Sequence, residues 1–114
     1  MANAFKSETD TAVGTGGSNV YTCPSATQTT VIGLTVANIE TSQIEVDVEL
    51  DASGRTSGAE DSVYLIKAAP VPVGSSLVVI GGEQKVVLEP GDVIVVTSNT
   101  ASSADVALSI LEIS

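Results

Sequence analysis

The sequence predicts an all-β chain: an antiparallel β-sandwich or jelly-roll-like barrel with an extended N-terminal arm. Three observations carry that expectation. First, Leu77 to Val96 holds three β-branched runs, Leu77–Ile80, Lys85–Leu88 and Val93–Val96, cut by Gly81-Gly82 and by Pro90-Gly91-Asp92. Val and Ile suit a pleated, half-buried surface, and Gly and Pro supply turn geometry, so the stretch reads as a β-meander. Second, Gln43 to Asp51 alternates strictly, with Ile44, Val46, Val48 and Leu50 on one face and Glu45, Asp47, Glu49 and Asp51 on the other. That is a strand with one dry side and one wet side. Third, no segment carries a helical period, and strand-like runs recur roughly every 8–12 residues between turn signals.

The elements follow in order. Residues 1–18 are rich in Ser, Thr, Gly, Asn and Asp, with Gly14-Thr15-Gly16-Gly17 as a flexible joint. They read as an arm, either mobile or docked on its own domain or on a neighbour, and residues 19–114 read as a single β-sandwich domain. Val20 to Cys23 is a short strand ended by Pro24. Gln28 to Asn38 is a long strand in which Gly33 marks a bulge or a close backbone approach. Ala52 to Asp61 is a loop. Ser62 to Ala69 is a strand placing Val63 and Leu65 opposite Tyr64 and Ile66. Pro70 to Gly74 is an extended linker, because each proline holds its predecessor out of the helical region. After the meander, Ser98 to Ala104 is a turn. Asp105 to Ser114 closes the chain: Val106, Leu108 and Ile110 alternate, and Leu111 and Ile113 then shift the phase, as at a bulge or in a strand buried on both faces.

A chain of 114 residues fits one domain, long enough to bury roughly two-thirds of its unfolded surface. Its core must be aliphatic, since Phe5, Tyr21 and Tyr64 are the only aromatics. A lone cysteine, Cys23, excludes an internal disulfide and reads as a small buried hydrophobe. Fourteen acids against 4 bases give a net charge of -10, which argues against nucleic acid, whose phosphates need a Lys/Arg footprint. No apolar run approaches the ~20 residues of a membrane helix. The N-terminus lacks the order of a signal peptide, so the expectation is a soluble protein made in the cytoplasm, with no membrane partner.

Catalytic chemistry finds little footing. The chain has no histidine, so Ser-His-Asp and Cys-His schemes are closed to it. Glu89-Pro90-Gly91-Asp92 is similar to a turn of cupin barrels, but a cupin metal centre needs histidines, and the stretch reads as a hairpin turn. The acid row Glu45, Asp47, Glu49, Asp51 could collect a hard cation; as charges on a sheet face, it reads instead as a solvated surface that repels unwanted partners. The loop from Asp51 to Asp61 fails the calcium-loop pattern, and Gly14 to Gly17 lacks the lysine of a phosphate loop. The expectation is a non-enzyme with no cofactor and no metal.

Several stretches carry a resemblance to a family. Ala69 to Asp92, Val20-Tyr21-Thr22-Cys23-Pro24 with Thr29 to Asn38, and Ala101 to Ser114 resemble small virion structural proteins of tailed bacteriophages. The resemblance covers most of residues 20–114 and brings no functional-residue motif. It implies an all-β, non-enzymatic virion protein. The leading expectation is a capsid decoration (cement) protein on the outer capsid surface, bracing the major capsid protein shell. The alternatives are a neck, tail or fibre-base component and, from another class, a carbohydrate-binding β-sandwich, for which three aromatics offer few stacking platforms.

Strands apolar on both faces, such as those holding Tyr64 and Ile66 or Val79 and Val95, need a second cover. That need predicts a homo-oligomer, with a trimer expected on the virion. The candidate interaction residues are Phe5, Lys6, Val13, Arg55 and Tyr64. Burying Phe5 returns roughly 2–3 kcal/mol, against about 1–2 kcal/mol for each backbone residue ordered. The arm is therefore expected to be mobile in the isolated subunit. On the particle, Phe5 would enter an apolar pocket of a neighbour and Lys6 would approach an acidic surface. Deleting residues 1–18 should then leave thermal stability nearly unchanged.

Overall fold

The structure, a computed structural model, describes residues 2–55 and 61–114. Among the described residues nine strands run in order: β1 (Asn3–Val13), β2 (Ser18–Thr22), β3 (Gln28–Asn38), β4 (Ile44–Asp51), β5 (Val63–Val71), β6 (Ser76–Ile80), β7 (Val86–Leu88), β8 (Val93–Ser98) and β9 (Ala104–Ile113). They form two antiparallel sheets, a five-stranded one ordered β1-β9-β3-β6, with β7 also on β3, and a four-stranded one ordered β2-β8-β4-β5. As expected, the chain is an all-β sandwich.

The pairing follows one rule. The chain doubles back between β4 and β5, and each strand of the first half pairs with its mirror in the second. β4 pairs β5, β3 pairs β6 and β7, β2 pairs β8, and β1 pairs β9. This long hairpin is rolled until β9 also meets β3 and β8 also meets β4. With β6 and β7 taken as one interrupted strand, the winding is that of a jelly roll.

Alternation decides which residues the roll encloses. Val31, Leu34 and Val36 of β3, Ile44, Val46 and Val48 of β4, Ile94 and Val96 of β8, and Leu108 and Ile110 of β9 are buried between the sheets. The core is aliphatic, and Tyr21 is the one aromatic among its buried members. The wet side of β4 is Glu45, Asp47, Glu49 and Asp51, as its alternation predicts.

Four expectations are corrected. The stretch from Leu77 to Val96 is not a meander. β6 and β7 lie end to end along the same long β3, pairing Thr35 with Val78 and Thr30 with Val87, and β8 crosses to the other sheet. The Gly81-Gly82 turn interrupts a strand and does not reverse it. Second, β9 keeps its phase through Glu112. The bulge lies across from it in β3, where Val31 pairs Ile110 and Gly33 pairs Ser109, leaving Ile32 as the extra residue, as Gly33 had suggested. Third, Tyr64 and Ile66 do not share a face. Tyr64 pairs the outward Glu49, Ile66 pairs the buried Val48, and Leu65 is the extra residue between them.

The fourth correction concerns the arm. Residues 3–13 are strand β1, paired with β9 in unbroken register from Asn3↔Ile113 to Asp10↔Val106. The pairing supplies through backbone hydrogen bonds what apolar content does not. Val13 alone of this segment joins the buried core.

Two bulges share one construction. Thr11 and Ala12 stand opposite Asp105, and Lys67 and Ala68 stand opposite Asp47. Ala12 has φ 55° and Ala68 has φ 51°. In each bulge the facing aspartate accepts the freed N–H, Ala12 N to Asp105 Oδ1 at 3.1 Å and Ala68 N to Asp47 Oδ1 at 2.7 Å.

Candidate interaction surface

Residues paired directly across strands share a face, so the registers define both outer surfaces. On the five-stranded sheet one row runs Phe5, Leu111, Thr30, Val87. A second runs Thr9, Ala107, Thr35, Val78, and between them lie Ser7, Ser109 and Gly33. Phe5, Val78 and Val87 are 77%, 64% and 60% exposed. Among the described strand residues on this face, Asp105 is the single charged side chain, and it stands at one end opposite Ala37. A depression of about 460 Å³ opens there, lined by Thr9, Thr11, Thr35, Ala37, Asp105 and Ala107 among others. Asp105 is already committed to the bulge, accepting from Thr11 Oγ1 at 2.8 Å as well as from Ala12 N.

The outer face of the four-stranded sheet is of opposite character. It carries Glu45, Asp47, Glu49 and Asp51, with Tyr64 and Lys67 from β5 beside them. Lys67 Nζ lies 3.2 Å from Asp47 Oδ2 and 4.4 Å from the Tyr64 ring centroid, and its hydrogen bond to Asp47 pushes its pKa up. Asp51 accepts from Ser53 Oγ at 2.6 Å, Ser53 N at 3.0 Å and Ser62 Oγ at 3.0 Å, and these bonds hold its carboxyl below the usual range. Two of the four acids are thus committed to local structure. Among the described residues, no three His, Cys, Asp or Glu side chains converge to hold a metal ion.

The five candidate residues from the sequence do not converge. Phe5 lies on the uncharged face, and Tyr64 lies on the acidic one. Val13 is buried at 3% exposure and is a core residue. Lys6 reaches Glu112 Oε1 at 2.8 Å within its own subunit. Arg55, a candidate interaction residue from the sequence, closes on Asp92 with Nε–Oδ1 at 2.8 Å and Nη2–Oδ2 at 3.0 Å, and reaches Glu89 at 3.3 Å. Asp92 is wholly buried and also accepts from Glu89 N at 3.0 Å. This fork clasps the loop after β4 to the turn before β8. The backbones touch there: a Cβ on Gly91, at φ 92°, would stand 2.0 Å from the Gly54 carbonyl oxygen.

A buried polar chain escaped the sequence reading. Tyr21 OH donates to Glu112 Oε2 and shares a 2.9 Å hydrogen bond with Thr29 Oγ1, and Cys23 Sγ lies 3.4 Å from the same Thr29 hydroxyl. Burial first, then the bond to Glu112, pushes the Tyr21 phenol up; burial likewise pushes up the Cys23 thiol. The hydrogen bonds from Lys6 and then Tyr21 hold Glu112 below its usual value. The signal available was the phase of β9: Glu112 continues the inward series Ala104, Val106, Leu108, Ile110. The chain ties β1, β2, β3 and β9 together, and a buried thiol with a raised pKa is a poor nucleophile.

Comparison with protein-family models, with curated proteins and with solved structures returns no match.

Proposed function

We propose that the chain is a non-enzymatic structural protein of a tailed-phage virion, a capsid decoration protein that attaches to the major capsid protein through the outer face of its five-stranded sheet. The observation that carries this reading is the contrast of the two faces. A chain of net charge -10 keeps one sheet face almost free of charge and sets Phe5, Val78 and Val87 out on it. A wide surface of outward apolar and small polar strand residues on an acidic chain is the form of a docking site. It braces by added interface and not by chemistry. The sequence resemblance over most of residues 20–114 supports the same reading. The jelly-roll winding adds little, since viral capsid proteins, lectins and cupins share it.

The test mixes the purified protein with undecorated capsids and follows co-sedimentation. The wild type should pellet with capsids, and the double variant Phe5→Asp, Val87→Asp should remain in the supernatant while keeping its circular dichroism spectrum. Labelled protein imaged on virions separates this reading from a neck, tail or fibre-base position. Label confined to the tail, with no binding to capsids, overturns the capsid assignment.

A further inference from the structure

We infer that the free edge of β1 is a self-association site, pairing antiparallel with β1 of a second copy about a two-fold axis at Ser7. The inference stands apart from the virion reading, since it needs only this chain.

The four sheet edges are unequal. An exposed edge strand is a template for pairing unless something blunts it. β5 is bulged at Lys67 and Ala68 and carries Pro70, which has no N–H. β2 is five residues long and bulged at Val20, and the edge opposite β1 is divided between the short β6 and β7. β1 has no proline and runs in unbroken register from Asn3 to Asp10. Among the described residues, no strand lies on its outer side.

The hydrogen-bond parity shows what that edge offers. Ala2 and Ser114 exchange both backbone bonds at 2.9 Å. The even residues of β1 therefore bond to β9, and Asn3, Phe5, Ser7 and Thr9 turn their N–H and C=O groups to the free side. Thr11 N is already taken by the Asp10 side chain, which ends the available ladder near Thr9.

Charge then selects the register. Two-fold pairing of these odd residues can centre on residue 5, 6, 7 or 8. Centred on Phe5 it sets Lys6 against the partner's Ala4 and Glu8 against the partner's Ala2, with no opposite charges paired. Centred on Lys6 it sets lysine opposite lysine, and centred on Glu8 it sets glutamate opposite glutamate. Centred on Ser7 it sets Lys6 against Glu8 of the partner subunit, twice over, in the closer, non-hydrogen-bonded pairs. Phe5 then stands opposite Thr9 of the partner subunit on the outer side. The two five-stranded sheets join into one, and the uncharged face continues across the axis. The unit is a dimer, in place of the trimer expected from the sequence.

The test is mass by light scattering and sedimentation velocity over a concentration series of the full chain. The wild type should move from 11.5 kDa toward twice that mass. Ser7→Pro removes an N–H that faces away from β9 and so spares the intramolecular ladder. Glu8→Lys leaves the Lys6–Glu112 bond in place and sets like charges across the axis. Each should weaken dimerisation by at least about ten-fold. Ser7→Cys, treated with oxidised glutathione, should give a covalent dimer, because opposed residues in this register lie about 5.5 Å apart at Cα, within disulfide reach. Thr9→Cys alone should not, since it faces Phe5 of the partner subunit. A wild type that stays monomeric up to millimolar concentration overturns the inference. So does a Glu8→Lys variant that dimerises like the wild type, or equal cross-linking of the two cysteine variants. The cross-linking comparison decides the matter should Ser7→Pro fail to fold.

Discussion

Arg55 and Asp92 show how much one pair of side chains decides here. Asp92 is wholly buried, and a charge removed from water is tolerated only when paired and hydrogen-bonded. Arg55→Met should lower unfolding free energy by about 3–5 kcal/mol, the usual cost of stranding one buried partner. Urea titration with an unchanged slope would check it; a loss below about 1 kcal/mol would reduce the clasp to a surface ion pair. The polar chain makes a pH prediction at the same scale. Glu112 titrates below its ordinary 4.5, so its contribution is complete above that pH and is lost as pH falls through the folded-state value. Tyr21, pushed above its ordinary 10.0, contributes fully below that pH, and its contribution declines as pH rises beyond it. Lys6 is raised too and acts with the same sign. Melting temperatures across pH should fall on both sides, and Tyr21→Phe should flatten the alkaline side. An alkaline limb unchanged in Tyr21→Phe would show that the phenol is not part of it.

At the scale of elements, β1 is a strand held by its ladder more than by its side chains. It adds Val13 to the core, worth about 1.5–3 kcal/mol, and the Lys6–Glu112 bond at 2.8 Å. Deleting residues 1–13 should therefore destabilise the domain by about 2–4 kcal/mol and, by uncovering β9, promote aggregation. A truncated protein melting within a degree of the full chain would return residues 3–13 to the status of an arm. The two aspartate-capped bulges explain why acids occur on otherwise regular strands: Asp47 and Asp105 each take the N–H of an alanine in the left-handed region.

At the scale of the molecule, charge is partitioned. Each of the 4 Lys and Arg side chains is bonded within the subunit, and acids crowd the outer face of the four-stranded sheet. A second copy, itself of net charge -10, can approach closely only where carboxylates are sparse, and the proposed capsid attachment uses the same face. Attachment through the uncharged face should therefore survive an increase from about 0.1 M to about 1 M salt, which shortens the screening length from about 10 Å to about 3 Å. Release of the protein from capsids over that range would assign attachment to the acidic face and a basic partner.

The all-β class, the aliphatic core and the two-sided β4 were determined by the sequence alone, because they depend on local alternation, composition and turn residues. The alternation of Ile44, Val46 and Val48 against Glu45, Asp47 and Glu49 needs no partner to be read. What β1 is and where β7 lies were decided by the tertiary structure. A strand such as Asn3–Val13 has no apolar stripe of its own, and backbone hydrogen bonds to a β9 about a hundred residues away carry no local signature. A bulge at Ile32 re-aligns two strands without leaving a trace in the other one. The clasp between Arg55 and Asp92 likewise joins residues far apart in sequence, so a loop arginine read alone shows only its charge. The uncharged face is assembled from single outward residues of β1, β9, β3, β6 and β7, and it exists only once their registers are set.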